Sequence, residues 1–341
     1  MQGVILAAGK GTRMLPLTRY RPKPLVPLLG VPMIDHIIKG AVAAGVDEIW
    51  LIVGHKGEMI REHVGDGRCY NADVRCLDQL EPGGTGDALL YAEDAMGDEP
   101  FFLSWGDIIV APETYRAVVE RFATGDCDGV LTANWIGDPY EGAAVYDCNG
   151  YLQRIEEKPP KGTATTEYNN AGIFIFNREV FAVLKQIPRS PRGELEVPSA
   201  IMRMVATGSR LAVHKLSGFW DDVARPANVV ALQAVMIRHL AADGILIADS
   251  ARVDDRAEVR PPIYVGPETH IAAAEIGPNV VLGRGCRIAD GCHLANATCF
   301  DGVGCERNAI AEYAILQENV TLGCGHQLIG HQDMPACLYH G

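Results

Sequence analysis

Two blocks near the start of the chain hold residue types suited to gripping phosphate: Gly9-Lys10-Gly11-Thr12-Arg13 and, after a short spacer, Arg21-Pro22-Lys23-Pro24. The first follows an apolar run, Val4-Ile5-Leu6-Ala7-Ala8, and so reads as a loop leaving the end of a buried strand. Backbone amides unshadowed by side chains form a donor surface for an anion, and Lys10, Arg13, Arg21 and Lys23 bring positive charge to the same strand end. The spacing is not that of a P-loop, and Met14 stands where a dinucleotide fingerprint needs its third glycine. A glycine-rich connection without a ligand is the plainer reading of Gly9 or Gly11 alone, and the basic block argues against it.

The elements that must position these blocks follow an alternating pattern. Pro32 to Val42 repeats its apolar residues at helical spacing, and Glu48 to Gly54 and Pro100 to Ser104 read as buried strands, the latter stopping at Trp105-Gly106-Asp107. Helix at 114–123 and strands at 129–135 and 171–177 continue the alternation. This predicts an α/β fold: a three-layer, Rossmann-like domain with a mostly parallel sheet and ligands at the carboxyl ends of its strands. After residue 243 Gly, Pro and β-branched residues take over, and aliphatic residues recur every six positions: Val253, Val259, Val265, Ile271; then Ile276, Leu282, Ile288, Leu294, Phe300; then Ile310, Leu316, Leu322. Compact residues such as Val280, Cys286, Cys292 and Thr298 sit at the other inward positions. Such hexapeptides mark a parallel β-helix of four or five coils. The expected domains are therefore 1–243 and 244–341.

The 341 residues are 48% hydrophobic and 21% charged, with a formal net charge of −13, which argues against a general nucleic-acid or anionic-membrane binder. No apolar stretch is long enough to span a bilayer and no charged-then-apolar leader precedes Val4, so the expected location is cytoplasmic. Ten cysteines without C-x-x-C pairs read as reduced, mostly buried thiols.

The opening blocks resemble the signature of the sugar-phosphate nucleotidylyltransferases, L-A-A-G-x-G-T-R followed by P-K-P, present here as Leu6-Ala7-Ala8-Gly9, Gly11-Thr12-Arg13 and Pro22-Lys23-Pro24. The resemblance covers nearly the whole chain, and is greatest to the long-form thymidylyl- and uridylyltransferases with a C-terminal left-handed β-helix. It implies attack by a sugar 1-phosphate, or a cyclitol 1-phosphate, on the α-phosphorus of dTTP or UTP, giving an NDP-sugar and pyrophosphate. A GTP-using member is the alternative. Such chemistry needs cations for phosphates and carboxylates for a divalent metal more than general bases. Arg13 and Lys23 are the implied catalytic cations. Leu6, Ala8, Gly9, Gly11 and Thr12 would line the nucleotide, with Gln79, Gly84 and Thr85 of Gln79-Leu80-Glu81-Pro82-Gly83-Gly84-Thr85 facing the base; the role of Asp87, just beyond, stays open. Gly142, Glu157 and Lys158 (in Glu156-Glu157-Lys158-Pro159), Asn170 and Gly172 would hold the sugar phosphate. Gly193-Glu194-Leu195-Glu196 also matches, with Glu194 either touching substrate or supporting its loop. Asp107 and Asp222, the latter by the pattern W-x-D, would bind Mg²⁺. Ala224, where relatives carry glycine, departs from the pattern.

The expected partners are thus small molecules, an NTP and a sugar 1-phosphate, and further copies of the chain in a homo-oligomer, with no nucleic acid and no membrane. Two other readings stand beside this one. The β-helix could carry a second, acetyltransferase activity with His270, His293, His326 or His331 as base. Alternatively, the α/β domain could sense a nucleotide without turnover, against which Arg13, Lys23, Asp107 and Asp222 argue.

Overall fold

The computed structural model describes residues Met1–Tyr339, and packing divides them into two compact units. One comprises Met1–Lys10 and Ile34–Asp222, the other Gly11–Met33 and the chain from Val223 onward. This differs from the expected division at 243: the helix Pro226–Leu240 and the segment 11–33 pack with the C-terminal coils.

In the first unit nine strands form one sheet. In chain order they are β1 (Gln2–Ala7), β2 (Glu48–Val53), β3 (Asp73–Asp78), β4 (Phe101–Trp105), β5 (Gly129–Trp135), β6 (Ala143–Cys148), β7 (Tyr151–Glu157), β8 (Tyr168–Phe176) and β9 (Leu211–Lys215). Their order across the sheet is β3-β2-β1-β4-β8-β5-β9-β7-β6. The half around β1 is parallel, as expected, with β1 between β2 and β4. The other half is not, because β8 runs antiparallel to both β4 and β5, and β7 to both β9 and β6. The sheet is mixed, not mostly parallel. One cause is local: Asn149-Gly150 joins β6 to β7 with φ of +52° and +81°, both central residues left-handed as a tight hairpin turn requires.

Both faces of this sheet are covered. Phe101 stacks on Phe181 at 5.4 Å, whereas the next residue, Phe102, meets Tyr115 at 6.2 Å. Successive strand residues point to opposite faces, so the helices Glu179–Leu184 and Glu113–Ala123 lie on opposite sides. The apolar core includes Val4, Leu103, Phe174 and Phe176 from the strands and Leu89, Val197 and Ile201 from helices.

In the second unit short parallel strands stack in ladders. Ile263 lies opposite Val280, Val280 opposite Ala297 and Ala297 opposite Ala314; His270, Arg287, Gly304 and Thr321 form another such series. The step is 17 residues in each, so the inward positions advance by 6, 6 and 5. Left-handed backbone at Asn279, Asn296 and Tyr313 marks one recurring corner. The count by sixes therefore slips: Cys299, Cys305 and Ala311 line the core where Phe300 and Ile310 were expected, and Ala297 replaces Thr298. Of the ten cysteines, all free, only Cys286, Cys292, Cys299 and Cys305 are buried, which corrects the expectation of mostly buried thiols. Burial pushes the Cys286 thiol up to about 12, so it stays a neutral packing group.

Gln233, buried on the helix Pro226–Leu240, joins three parts of this unit. Its Oε1 accepts from the Leu29 amide at 2.8 Å and its Nε2 donates to Thr298 Oγ1 at 2.9 Å. Gln233→Leu should leave two buried groups unpaired and cost about 2–4 kcal/mol, measured by denaturant unfolding; a loss below about 0.5 kcal/mol would show that the bridge carries no weight.

Candidate active site

The loop leaving β1 is flanked by bare backbone on both sides. Gly106, after β4, donates to the Leu6 carbonyl at 2.8 Å, and a methyl group on Gly106 would lie 2.8 Å from that same oxygen. Gly54, after β2, is equally confined, with the Ala8 oxygen 2.8 Å from where its methyl would be. Leu6 and Ala8 are half-buried, and Gly9 and Lys10 are exposed. Three adjacent strands thus end in small residues beside the expected phosphate loop.

Gly11, Thr12, Arg13 and Lys23 belong to the second unit. Gly11 is left-handed, φ +62°, and a Cβ there would sit 3.0 Å from the Cβ of Lys23, so the glycine packs on the lysine stem. Thr18 Oγ1 donates to the Gly11 carbonyl at 2.9 Å. The two motif halves therefore meet. Lys23 is 8% exposed, while Thr12 and Arg13 are exposed. Arg21 is different from the expectation: both its terminal nitrogens pair with the Glu318 carboxylate, and its guanidinium lies over the Phe300 ring at 5.4 Å. It is a structural anchor and not part of the phosphate-facing charge.

The two candidate metal carboxylates flank the strands of one short ladder. Asp107 lies two residues before the short strand Ile109–Val110, which pairs antiparallel with Trp220–Asp221, Ile109 opposite Asp221. Asp222 directly follows the second of these strands, as Asp107 shortly precedes the first. Both are half-buried. Among the described residues no group of three or more His, Cys, Asp or Glu could hold a metal by itself. A pair of carboxylates fits an ion that completes its shell with water and phosphate oxygens. Just after Asp222, the left-handed conformation falls on Val223, φ +33°, and not on Ala224; a β-branched residue there is strained.

On the expected base side, Gln79 Nε2 donates to Asp87 Oδ2 at 3.0 Å, and Arg189 donates to Asp87 Oδ1 at 3.3 Å. Asp87 thus has a place the sequence left open. Gly84 and Thr85 are tied to 195–197: Leu195 donates to Gly83, Gly86 to Leu195, and Val197 to Thr85 Oγ1 at 3.0 Å. A methyl on Gly84, φ +100°, would lie 2.9 Å from the Glu194 Cβ, so the stem of Glu194 supports this loop.

The five expected sugar-phosphate residues also come together. Glu157 pairs with Ala143 across β7 and β6, and the Lys158 amide donates to Gly142 at 2.8 Å. Gly142 packs on Asn169, where a Cβ would stand 3.3 Å from Nδ2. Asn170 and Gly172 lie in an irregularity of β8, with the Gly172 amide donating to Asn170 Oδ1 at 3.1 Å. Trp220, next to the carboxylate pair, donates its indole N–H to Ala171 at 2.9 Å. Asn169 Oδ1 and Asn170 Nδ2 are buried without a hydrogen-bond partner. Asn169 was not among the expected residues, although it forms a doublet with Asn170, which was.

Glu157 borders a cavity of about 680 Å³ lined also by Arg189, Arg192 and Glu196. Burial, then the nearby Glu196 charge, raises the Glu157 carboxyl above its usual range. Arg192 lies 3.7 Å from Glu157 and 3.6 Å from Glu194. A similar opening of about 630 Å³ on the second unit, along Arg252, His270 and Arg287, holds none of the motif residues. Of the histidines considered as bases, His293 faces Glu275 at 3.3 Å and Glu312 at 3.4 Å.

Comparison with known proteins shows the family and the fold. The nucleotidyl transferase family profile matches residues 2–235, and a second, described as the GMPPB C-terminal domain, matches 259–331. The chain is 31% identical over 325 residues to the low-salt glycan biosynthesis nucleotidyltransferase Agl11 of Haloferax volcanii, with 87% of each chain covered. It is 27% identical to a glucose-1-phosphate thymidylyltransferase of Streptomyces antibioticus, with 84% of each covered. Among solved structures, a Bacillus anthracis protein provisionally assigned as a glucose-1-phosphate thymidylyltransferase superposes with TM-score 0.63 at 28% identity, covering 73% of this chain and 98% of that one. A UDP-glucose pyrophosphorylase at 18% identity shares the fold, TM-score 0.62, over 70% of this chain and all of the other. With its family profile spanning most of the sequence, the chain is a nucleotidyltransferase enzyme belonging to the nucleotidyl transferase family.

Proposed function

We propose that this enzyme joins a sugar 1-phosphate, or a cyclitol 1-phosphate, to the nucleotidyl group of dTTP or UTP. The observation that carries the sugar half is the pair of orphaned polar atoms, Asn169 Oδ1 and Asn170 Nδ2, beside Gly142 and Lys158. Buried amide atoms without partners are rare unless a ligand satisfies them, and sugar hydroxyls both donate and accept. Lys158 would hold the sugar phosphate, and Glu157 would accept from a hydroxyl.

A phosphate oxygen of the sugar 1-phosphate attacks the α-phosphorus, the bond from that phosphorus to the bridging oxygen breaks, and pyrophosphate leaves with the electron pair. The nucleophile is already anionic, so the residues bind and neutralise. Arg13 takes the departing phosphates, where a planar fork binds two oxygens, and the amides of Gly9 and Gly11 add donors. Lys23, largely desolvated, contacts the α-phosphate. Asp107 and Asp222 would hold Mg²⁺, which supplies charge neutralisation between the two anions. Gln79, Gly84 and Thr85 face the base; a GTP-using enzyme is the second reading, because the same segment serves guanine nucleotides in the family.

The coils from residue 244 would form a left-handed β-helix, supported by the 17-residue ladder step, and serve a cytoplasmic homo-oligomer. Among the described residues no helix is long and apolar enough to cross a membrane.

Pyrophosphate release from a panel of nucleoside triphosphates crossed with sugar 1-phosphates, in Mg²⁺, should show turnover with dTTP or UTP. Silence for every pair sinks the proposal. Asp107→Asn and Asp222→Asn should each lower kcat by roughly a hundredfold or more with an unchanged melting midpoint, and ordinary rates in either variant would remove that residue from the metal site.

A further inference from the structure

The oxygen and nitrogen of a glutamine amide are alike in shape, and only the neighbours decide which points where. For Gln79 the neighbour is unambiguous. Its Nε2 lies 3.0 Å from Asp87 Oδ2, and the other oxygen of that carboxylate takes Arg189 Nη2 at 3.3 Å. A carboxylate beside a guanidinium accepts and does not donate, so the Gln79 nitrogen faces Asp87 and Oε1 is turned away from it.

The surroundings hold this arrangement. Arg189 also donates to the carbonyls of Gly193 at 3.0 Å and Gly83 at 3.4 Å. A methyl on Gly83 would lie 2.3 Å from the Asp87 carboxyl carbon, so that side chain fills the space above the glycine. The Gln79 main-chain N–H is bound to Val53 at 2.7 Å. Asp87 cannot turn without breaking its contact to Arg189, and a turned Gln79 amide would set its oxygen against the carboxylate and lose the bond to it.

We propose that Asp87 is a positioning residue that locks the Gln79 amide with its carbonyl oxygen offered to the nucleobase, so that the enzyme selects bases bearing a ring N–H: uracil, thymine or guanine. This rests on the reading of Gln79 as base-facing. Cytosine N3 and adenine N1 carry lone pairs in place of that hydrogen. Against a fixed acceptor they repel and leave both groups unpaired, a mismatch that polar sites reject strongly.

The test uses the full chain in Mg²⁺ with the sugar 1-phosphate that turns over best, and compares kcat/KM for UTP, dTTP, GTP, CTP and ATP. The best N–H-bearing nucleotide should exceed CTP and ATP by about 100-fold, and its ring-N-methylated form, N3 for a pyrimidine or N1 for guanine, should lose about 10- to 100-fold. In Asp87→Asn, which can both donate and accept, Gln79 can turn over, and both ratios should fall about tenfold or more; Asp87→Glu should restore them. A wild-type enzyme indifferent to the base or to methylation overturns the lock, and so do unchanged ratios in Asp87→Asn. Should that variant not fold, the methylated nucleotides decide on wild type alone. Turnover without base preference removes only this inference, whereas no turnover with any nucleotide removes the proposed function with it.

Discussion

For an anion to reach the backbone leaving β1, the strands on either side must present nothing bulkier than hydrogen. Gly54 and Gly106 meet that demand, each within 2.8 Å of a β1 or loop carbonyl measured from where a methyl would stand. That close approach follows from burying β1 between two parallel neighbours, which sets three strand ends at one level. It also determines what can come next in the chain. Gly106 is followed at once by Asp107, so the residue that must be small is adjacent to a candidate metal carboxylate.

The first half of this site was legible because its residues are consecutive or nearly so. Gly9 to Arg13, Pro22 to Pro24 and Gly106-Asp107 declare themselves by local spacing. Long-range pairing was not legible in the same way. Nothing within Ala171 to Phe176 says that it will run antiparallel to β4, since apolar runs look alike in either direction. The Asn149-Gly150 turn did carry a readable signal, and it accounts for the outer hairpin. Among the coils, the sixfold spacing was correct, but its phase was lost where small residues line the core. Cys299, Cys305 and Ala311 do not stand out among neighbours such as Phe300 and Ile310, and the left-handed Asn296 shortens one side by a residue.

Charge needed partners to be interpreted. Arg21 and Lys23 look equivalent in sequence, two cations flanking a proline. Packing separates them: Arg21 is neutralised by Glu318 and lies over Phe300, whereas the stem of Lys23 packs on Gly11. Asp87 is the counterpart among the acids. In sequence it is an extra carboxylate near a base-facing segment, and only Gln79 on one side and Arg189 on the other give it work.

The Arg21–Glu318 pair spans 297 residues, and that separation bears on how the protein is made. Glu318 is synthesised 297 residues after Arg21, so the segment from Gly11 to Met33 is made long before this anchor. A nascent chain can assemble the sheet around β1 and already carry every residue of the opening motif while Arg21 has no carboxylate to pair with. Formation of the coil that carries Glu318 is thus the step that fastens Arg21.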